Sequence, residues 1–241
     1  MTPSISEIAQ AIWVTWPGEA TTQTPAFTLR RSGDDSRRSR AATLRRTSTD
    51  AEVAEAAATM EGWGQPAMFW VPSNQGDFEL QLDALGYKAH DHAIYYIGPA
   101  AEMAAQRPPR LSTFEIWEPL AIMADIWAQT GTSRARIDVM RRADCPKTSI
   151  LGRIDGQPAG AAYVGLHGPL AMVHAVGTLP QHRRKGLGAF MMAQAAIWAE
   201  RQGATWIGLA VGQANDSARA LYASLGMQPV GSYHYRTLER P

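Results

Sequence analysis

Apolar positions along the second half of the chain fall into short continuous runs and longer periodic ones. Residues 171–178 and 205–211 are nearly unbroken apolar stretches of strand length. Between them, 186–202 is polar only at Gln194 before Glu200 and Arg201, which predicts a helix covered on more than one side. Residues 215–225 form a second helical pattern stopped by Gly226, and 227–238 is a last extended stretch. Upstream, 118–130 and 133–144 are predicted helices joined through Gly131, with Trp127, Val139 and Met140 among their apolar positions. Residues 147–154 and 158–166 make a hairpin across Asp155-Gly156, a strong turn signal. Strands that alternate with helices after an initial hairpin predict an α/β (α+β) mixed sheet with helices on both faces.

The first half repeats part of this order. Leu85-Gly86-Tyr87 and Leu225-Gly226-Met227 stand 140 residues apart, and the same offset places Val71 on Val211, Tyr95 on Tyr235 and the Ala-rich helix from Ala51 on the one from Met191. Two copies of one helix, strand, helix, strand unit are expected, with a boundary between 1–105 and 106–241. Ser4 and Glu7 form a capping box that opens an N-terminal helix. Residues 27–31 and 38–44 flank Ser32-Gly33-Asp34-Asp35, predicting a hairpin with arginines on its outer face. The Pro- and Ala-rich stretch 99–109 is expected to be a linker.

The 241 residues carry a formal net charge of +1, so there is no global field to attract nucleic acid or an anionic membrane, and any anion site must be local. The arginines between 30 and 46 lack interleaved aromatics that would stack on bases, which favours a solvated hairpin over a nucleic-acid surface. No membrane span or signal peptide is expected. The lone Cys145 has no internal disulfide partner and no evident activating base, so it is expected to be a small buried or half-buried apolar residue in a reducing, cytoplasmic protein.

The local anion site is the stretch Arg183-Arg184-Lys185-Gly186-Leu187-Gly188 between a strand and a helix. Its glycines allow a tight turn, the following helix presents its positive end, and three basic side chains add charge. It departs from the nucleotide-binding pattern G-x-x-x-x-G-K-[ST]. In the first copy the corresponding residues 43–48 hold no glycine, Gln75 stands for Asn215 and Leu82 for Tyr222, so one ligand site per chain is expected.

The ordered set Thr178-x-Pro180, Arg183-x-x-Gly186-x-Gly188, Asn215-x-x-Ala218-Arg219-x-Leu221-Tyr222 and Leu225-Gly226-Met227 resembles the GNAT superfamily of N-acetyltransferases over about residues 110–240. The first half resembles a degenerate copy of the same domain, as in tandem members. The resemblance implies a mostly antiparallel sheet with a splayed parallel strand pair, and no metal. It also implies acetyl-CoA as co-substrate in that cleft. Backbone groups of Val176, Gly177 and Thr178 would then hold the pantetheine arm, with the Thr178 N–H on the thioester carbonyl. The stretch Arg183, Arg184, Lys185, Gly186, Leu187, Gly188 and Ala189 would hold the pyrophosphate.

Asn215 would touch the cofactor's arm, or act as a plain helix cap. Tyr222 would protonate the departing thiolate, with core packing as the alternative. His174 is the candidate base for the acceptor amine, on the expectation that 174, 176 and 178 share one strand face; a satisfied structural histidine fits its residue type as well, and Glu118 and His234 are weaker candidates. Trp127, Arg134, Arg136, Tyr163, Tyr233 and Tyr235 are candidates for the acceptor pocket, against core packing for the aromatics and solvation for the arginines. The implied activity is acetyl transfer to a primary amine of a small molecule or peptide in a ternary complex. The alternative is a non-catalytic acyl-CoA-binding module. No nucleic-acid or membrane partner is expected, and the chain is expected to be a monomer or homodimer.

Overall fold

A computed structural model describes residues 1–238. In chain order the elements are α1 (Ile5–Thr15), β1 (Ala20–Gln23), β2 (Phe27–Arg31), β3 (Ala42–Leu44), α2 (Asp50–Gly62), β4 (Met68–Pro72), α3 (Gly76–Ala84), β5 (Lys88–Pro99), α4 (Ala100–Ala104), β6 (Thr113–Ile116), α5 (Ala121–Gln129), α6 (Arg134–Arg142), β7 (Lys147–Ile154), β8 (Gln157–His167), β9 (Leu170–Thr178), α7 (Leu187–Arg201), β10 (Trp206–Gly212), α8 (Asp216–Ser224) and β11 (Gln228–Thr237). All eleven strands join one sheet in the order β1-β2-β3-β4-β11-β5-β10-β9-β8-β7-β6. Pairing is antiparallel except for β3 with β4 and β9 with β10. Helices cover both faces: α7 and α4 pack over β8 to β10, whereas α5 and α6 bury Trp127, Ile137 and Met140 on the other side.

The repeat is visible in the hydrogen bonding. α3 and α8 stand 140 residues apart at both ends. Each stops at a glycine in the left-handed region, Gly86 at φ 84° and Gly226 at φ 83°. In each, the following residue's N–H returns to the last turn, Tyr87 to Leu82 O at 2.9 Å and Met227 to Tyr222 O at 3.1 Å. The strands correspond as well: Val71 opposite His234 and Val211 opposite Ile94 interchange under the same offset. The two copies exchange their last strands. β5 lies between β11 and β10, and β11 lies between β4 and β5. The sheet is therefore continuous across residues 105 and 106, and each copy's sheet contains a strand of the other.

Two local expectations are corrected. Residues 99–109 are not a solvated linker: β5 runs to Pro99, and the short helix α4 follows directly and buries Met103 and Ala104 against α7. α4 thus provides the second cover that the apolar surface of α7 requires. The arginines of the early hairpin do not all face outward, and only 42–44 of its second arm is strand. Arg30 is 5% exposed, lies over the Trp13 ring at 4.3 Å, and donates to Ala41 O and Thr43 Oγ1. Burial pulls its guanidinium down to about 10. Cys145 is half-buried, and burial pushes its thiol up.

Candidate active site

The cleft begins where the parallel pair separates. β9 and β10 are hydrogen-bonded only at Leu170–Met172 opposite Trp206–Gly208, after which β10 stays with β5 and β9 stays with β8. The β9 edge beyond Met172 is left open. A cavity of about 700 Å³ follows this opening and is lined by Val176, Gly177 and Thr178 on one side and Asn215, Ala218, Leu221 and Tyr222 on the other. Its floor is the loop between β9 and α7, including Arg183, Arg184, Gly186, Leu187, Gly188 and Ala189.

The local sequence explains why that loop can take an anion. Gly186 caps α7 in the left-handed region at φ 80°, and α7 has no acidic residue in its first turn. Phe190 N–H is the first to bond back, to Gly186 O at 3.1 Å, so those of Leu187, Gly188 and Ala189 have no carbonyl four residues behind them in the helix. They point out of the helix end toward the cleft with the positive end of its dipole. Arg183, Arg184 and Lys185 are exposed around it; Arg183 donates to Thr178 O at 3.3 Å and Lys185 pairs with Asp155 at 3.4 Å.

The first copy has closed the equivalent place. α2 opens on Thr49, whose hydroxyl accepts from Glu52 N–H while the Glu52 carboxylate accepts from Thr49 N–H. Arg46 and that backbone bond hold the Glu52 carboxyl down at about 2, so the helix end already has its own anion. Gln81 then bridges Ser48 O and Asp50 Oδ1.

Tyr222 projects from α8 into the cleft wall and is 6% exposed. Burial pushes its phenol up to about 12, which keeps the proton on the oxygen at neutral pH. Asn215 accepts from Ala218 N–H at 3.2 Å, so its helix-capping role is present in the structure, and it also lines the cleft.

A second cavity, of about 290 Å³, adjoins the cleft across β9. Ala175 lines this cavity and Val176 lines the cleft. The two are separated by a bulge: Ala175 has φ 52°, and between the pairs Tyr163–His174 and Ala161–Gly177 two residues, Ala175 and Val176, oppose Ala162 alone. Trp127 Nε1 fixes the bulge by donating to Ala175 O at 2.8 Å. The expectation that 174, 176 and 178 share a face is thereby corrected, because the extra residue breaks the alternation.

His174 lines the second cavity with both ring nitrogens engaged. Arg38 can only donate, so at 3.0 Å it takes the Nδ1 lone pair, which puts the proton on Nε2. Nε2–H then donates to Thr15 Oγ1 at 2.8 Å, and the hydroxyl passes its own proton to Ala11 O at 2.7 Å. Burial and the Arg38 charge hold the imidazole well below its ordinary value. It is therefore neutral, and its basic lone pair is occupied. Because the folded value lies below the unfolded one, protonation favours the unfolded chain, and stability present above pH ~6.5 is lost as pH falls below it. The melting temperature is expected to fall more between pH 7 and pH 5 in the wild type than in His174→Gln; equal falls would show that His174 does not set this dependence.

The remaining candidates divide. Tyr233 and Tyr235 line the second cavity from β11, and Arg136 lines it while paired with Asp35 at 3.0 Å. Trp127 and Tyr163 are 0% exposed within the core under α5 and α6, and line neither cavity, so the core-packing alternative describes them. Arg134 is exposed at the start of α6 and lines neither cavity. His234 pairs with Glu79 at 2.7 Å, and Glu118 with Arg141 at 3.2 Å, also outside both cavities.

Sequence reasoning missed the contribution of the first copy. Ser36, Arg37 and Arg38 line the second cavity, as does Asp91, which a bulge at φ 52° in β5 places there. The loop 32–41 is shaped by the buried Asp34 carboxylate, which accepts from Ser36 N–H at 2.7 Å and Ser39 Oγ at 2.6 Å. It is docked on α6 through Arg142, 3.5 Å from Asp34. The signal available was the density of arginines around Asp34-Asp35, which composition alone could not direct inward.

The cleft thus combines a splayed parallel pair, a glycine-started helix end and a buried tyrosine facing them. Residues 114–227 match the Acetyltransferase (GNAT) family, and this part of the chain is a domain of that family. The chain is similar in structure to a GCN5-related N-acetyltransferase from Kribbella flavida, with a TM-score of 0.74 at 19% identity over 100% of this chain and 98% of that one. It is also similar to a tandem GNAT protein from the clavulanic acid biosynthesis pathway, with a TM-score of 0.65 at 15% identity over 93% and 85% of the two chains. A GCN5-related N-acetyltransferase from Sphaerobacter thermophilus gives 0.59 at 12% identity over 83% and 73%. No curated protein matches the sequence significantly. Among the described residues no helix is long and apolar enough to cross a membrane.

Proposed function

We propose that this protein transfers the acetyl group of acetyl-CoA to the primary amine of a small molecule by direct attack in a ternary complex. One observation carries this reading: a single cleft combines the open edge of β9, the phosphate-type end of α7 and the buried Tyr222 phenol. The pyrophosphate would lie on the N–H groups of Leu187, Gly188 and Ala189, and the pantetheine arm along Val176 to Thr178 in place of a strand. The amine enters from the second cavity and its nitrogen attacks the thioester carbonyl, so that a C–N bond forms. Oxyanion charge builds near the Thr178 N–H, and the C–S bond then breaks. Tyr222 gives its proton to the departing sulfur. Since Arg38 occupies the His174 lone pair, the amine's proton leaves to water in the cavity rather than to the imidazole.

Thiol release from acetyl-CoA with a broad panel of primary amines tests this reading. Amine-dependent release well above spontaneous hydrolysis, with the acetylated amine found by mass spectrometry, is the expected result. Tight acetyl-CoA binding with no release for any amine would instead favour a protein that holds acyl-CoA without turnover.

A further inference from the structure

Among the described residues, the second cavity holds one cation that no acid answers. Its charged lining is Arg37, Arg38, Arg136 and Asp91 around the neutral His174. Arg37 is paired with Asp91 at 2.8 Å, and Arg136 with Asp35 at 3.0 Å. Arg38 instead bonds His174 Nδ1 at 3.0 Å and faces the Tyr233 and Tyr235 phenols. None of those three groups is a carboxylate, and among the described residues no carboxylate is paired with it. A guanidinium drawn out of water without a counter-charge is costly, and that cost is recovered when an anion enters.

Resting on the transfer reading above, we infer that the acceptor is a small amine bearing a carboxylate or phosphate, and that Arg38 is the residue that binds this group. The fork of a guanidinium matches either anion with two parallel bonds, and the two phenols beside it can add hydroxyl donors. Size agrees: about 290 Å³ is at the small end of ligand pockets, which suits a metabolite better than a segment of another protein. Direction agrees too. Arg38 comes from the loop of the first copy, whereas Ala175 and Gly212 line the same cavity beside the cleft. A molecule anchored by its anion at Arg38 therefore extends its amine over the Ala175 bulge toward the thioester. The first copy, having closed its own helix end, supplies the acceptor's charge recognition.

Matched pairs of amines test this, with kcat/KM expressed per unprotonated amine: L-amino acids against their amides, and O-phosphoethanolamine against ethanolamine. The anionic member of at least one pair is expected to exceed its neutral twin at least tenfold, and the carboxylate and phosphate arms identify which anion is preferred. Arg38→Gln is expected to remove that preference chiefly through KM, and Arg38→Lys to retain part of it; the wild-type comparison stands even if a variant does not fold. Neutral twins turned over as well as or better than anionic ones would overturn the inference and leave the transfer reading intact. If no amine releases thiol although acetyl-CoA binds, the transfer reading fails. Calorimetric titration of the same pairs then decides the binding claim: anion-selective binding lost in Arg38→Gln supports it, and equal or absent binding overturns it.

Discussion

Replacing Tyr222 by Phe is expected to lower the turnover of the proposed acetyl transfer by about 100-fold, while the dissociation constant for acetyl-CoA changes less than about twofold. The substitution keeps the ring that packs 6.1 Å from Tyr96 and beside Leu225, so the fold and the cleft wall are retained. It removes the buried phenol proton that α8 offers to a leaving sulfur. Burial holds that phenol at about 12, so it is fully protonated at neutral pH. A thiolate forming at a pKa near ~8.5 in water is stabilised when such a group donates as the C–S bond breaks, and removing a positioned general acid typically costs 10²–10⁴-fold. Steady-state thiol release and calorimetry on the same preparation separate the two effects. A fall in turnover under about threefold would assign Tyr222 to packing alone.

Much of the second copy was legible because its signals are local. Asp155-Gly156 marked a hairpin, Asn215 and Gly226 marked the ends of one helix, and the apolar runs at 171–178 and 205–211 marked the parallel pair. The glycines at 186 and 188 marked the start of α7 for the same reason: a left-handed cap constrains residue type directly. The repeat was also legible, since both Schellman-type stops carry the same Leu-Gly pair.

What was not legible depends on partners far away in the chain. β5 and β11 have the alternation and aromatic content of ordinary strands, and nothing in either specifies that it joins the other copy's sheet. The bulge in β9 rests on an alanine at φ 52°, held by the Trp127 indole from another element. Alanine gives no sequence cue for such a backbone. The orientation of Arg38 depends on the Asp34-centred loop and on His174, which is 136 residues away. α4 was hidden by its composition, because an Ala-rich segment beside prolines resembles a spacer until α7 is placed against it.

The strand exchange ties the first copy to the cleft of the second. β4 and β5 flank β11, and β5 completes the edge of β10 next to the cleft, so the first copy is part of the frame that holds the second open. Its own helix end, closed by Thr49 and Glu52, offers no comparable place for a phosphate.

The central claim is that the open end of α7 is the seat of acetyl-CoA, and Gly188→Asp tests it with the largest expected effect on binding. A carboxylate in the first turn of a helix favours the helix itself, so the protein is expected to fold with a melting temperature close to that of the wild type. The added Cβ lies 2.8 Å from Leu221 Cδ2, the end of a flexible side chain that can turn away. The same carboxylate would occupy the N–H groups proposed to hold the pyrophosphate and would repel its charge. A loss of about 2.8 kcal/mol, or 100-fold in affinity, is therefore expected. Calorimetric titration of the full chain with acetyl-CoA should show one site in the wild type, weakened at least 100-fold in a folded Gly188→Asp variant. Two sites per chain, or unchanged affinity in that variant, would contradict the account.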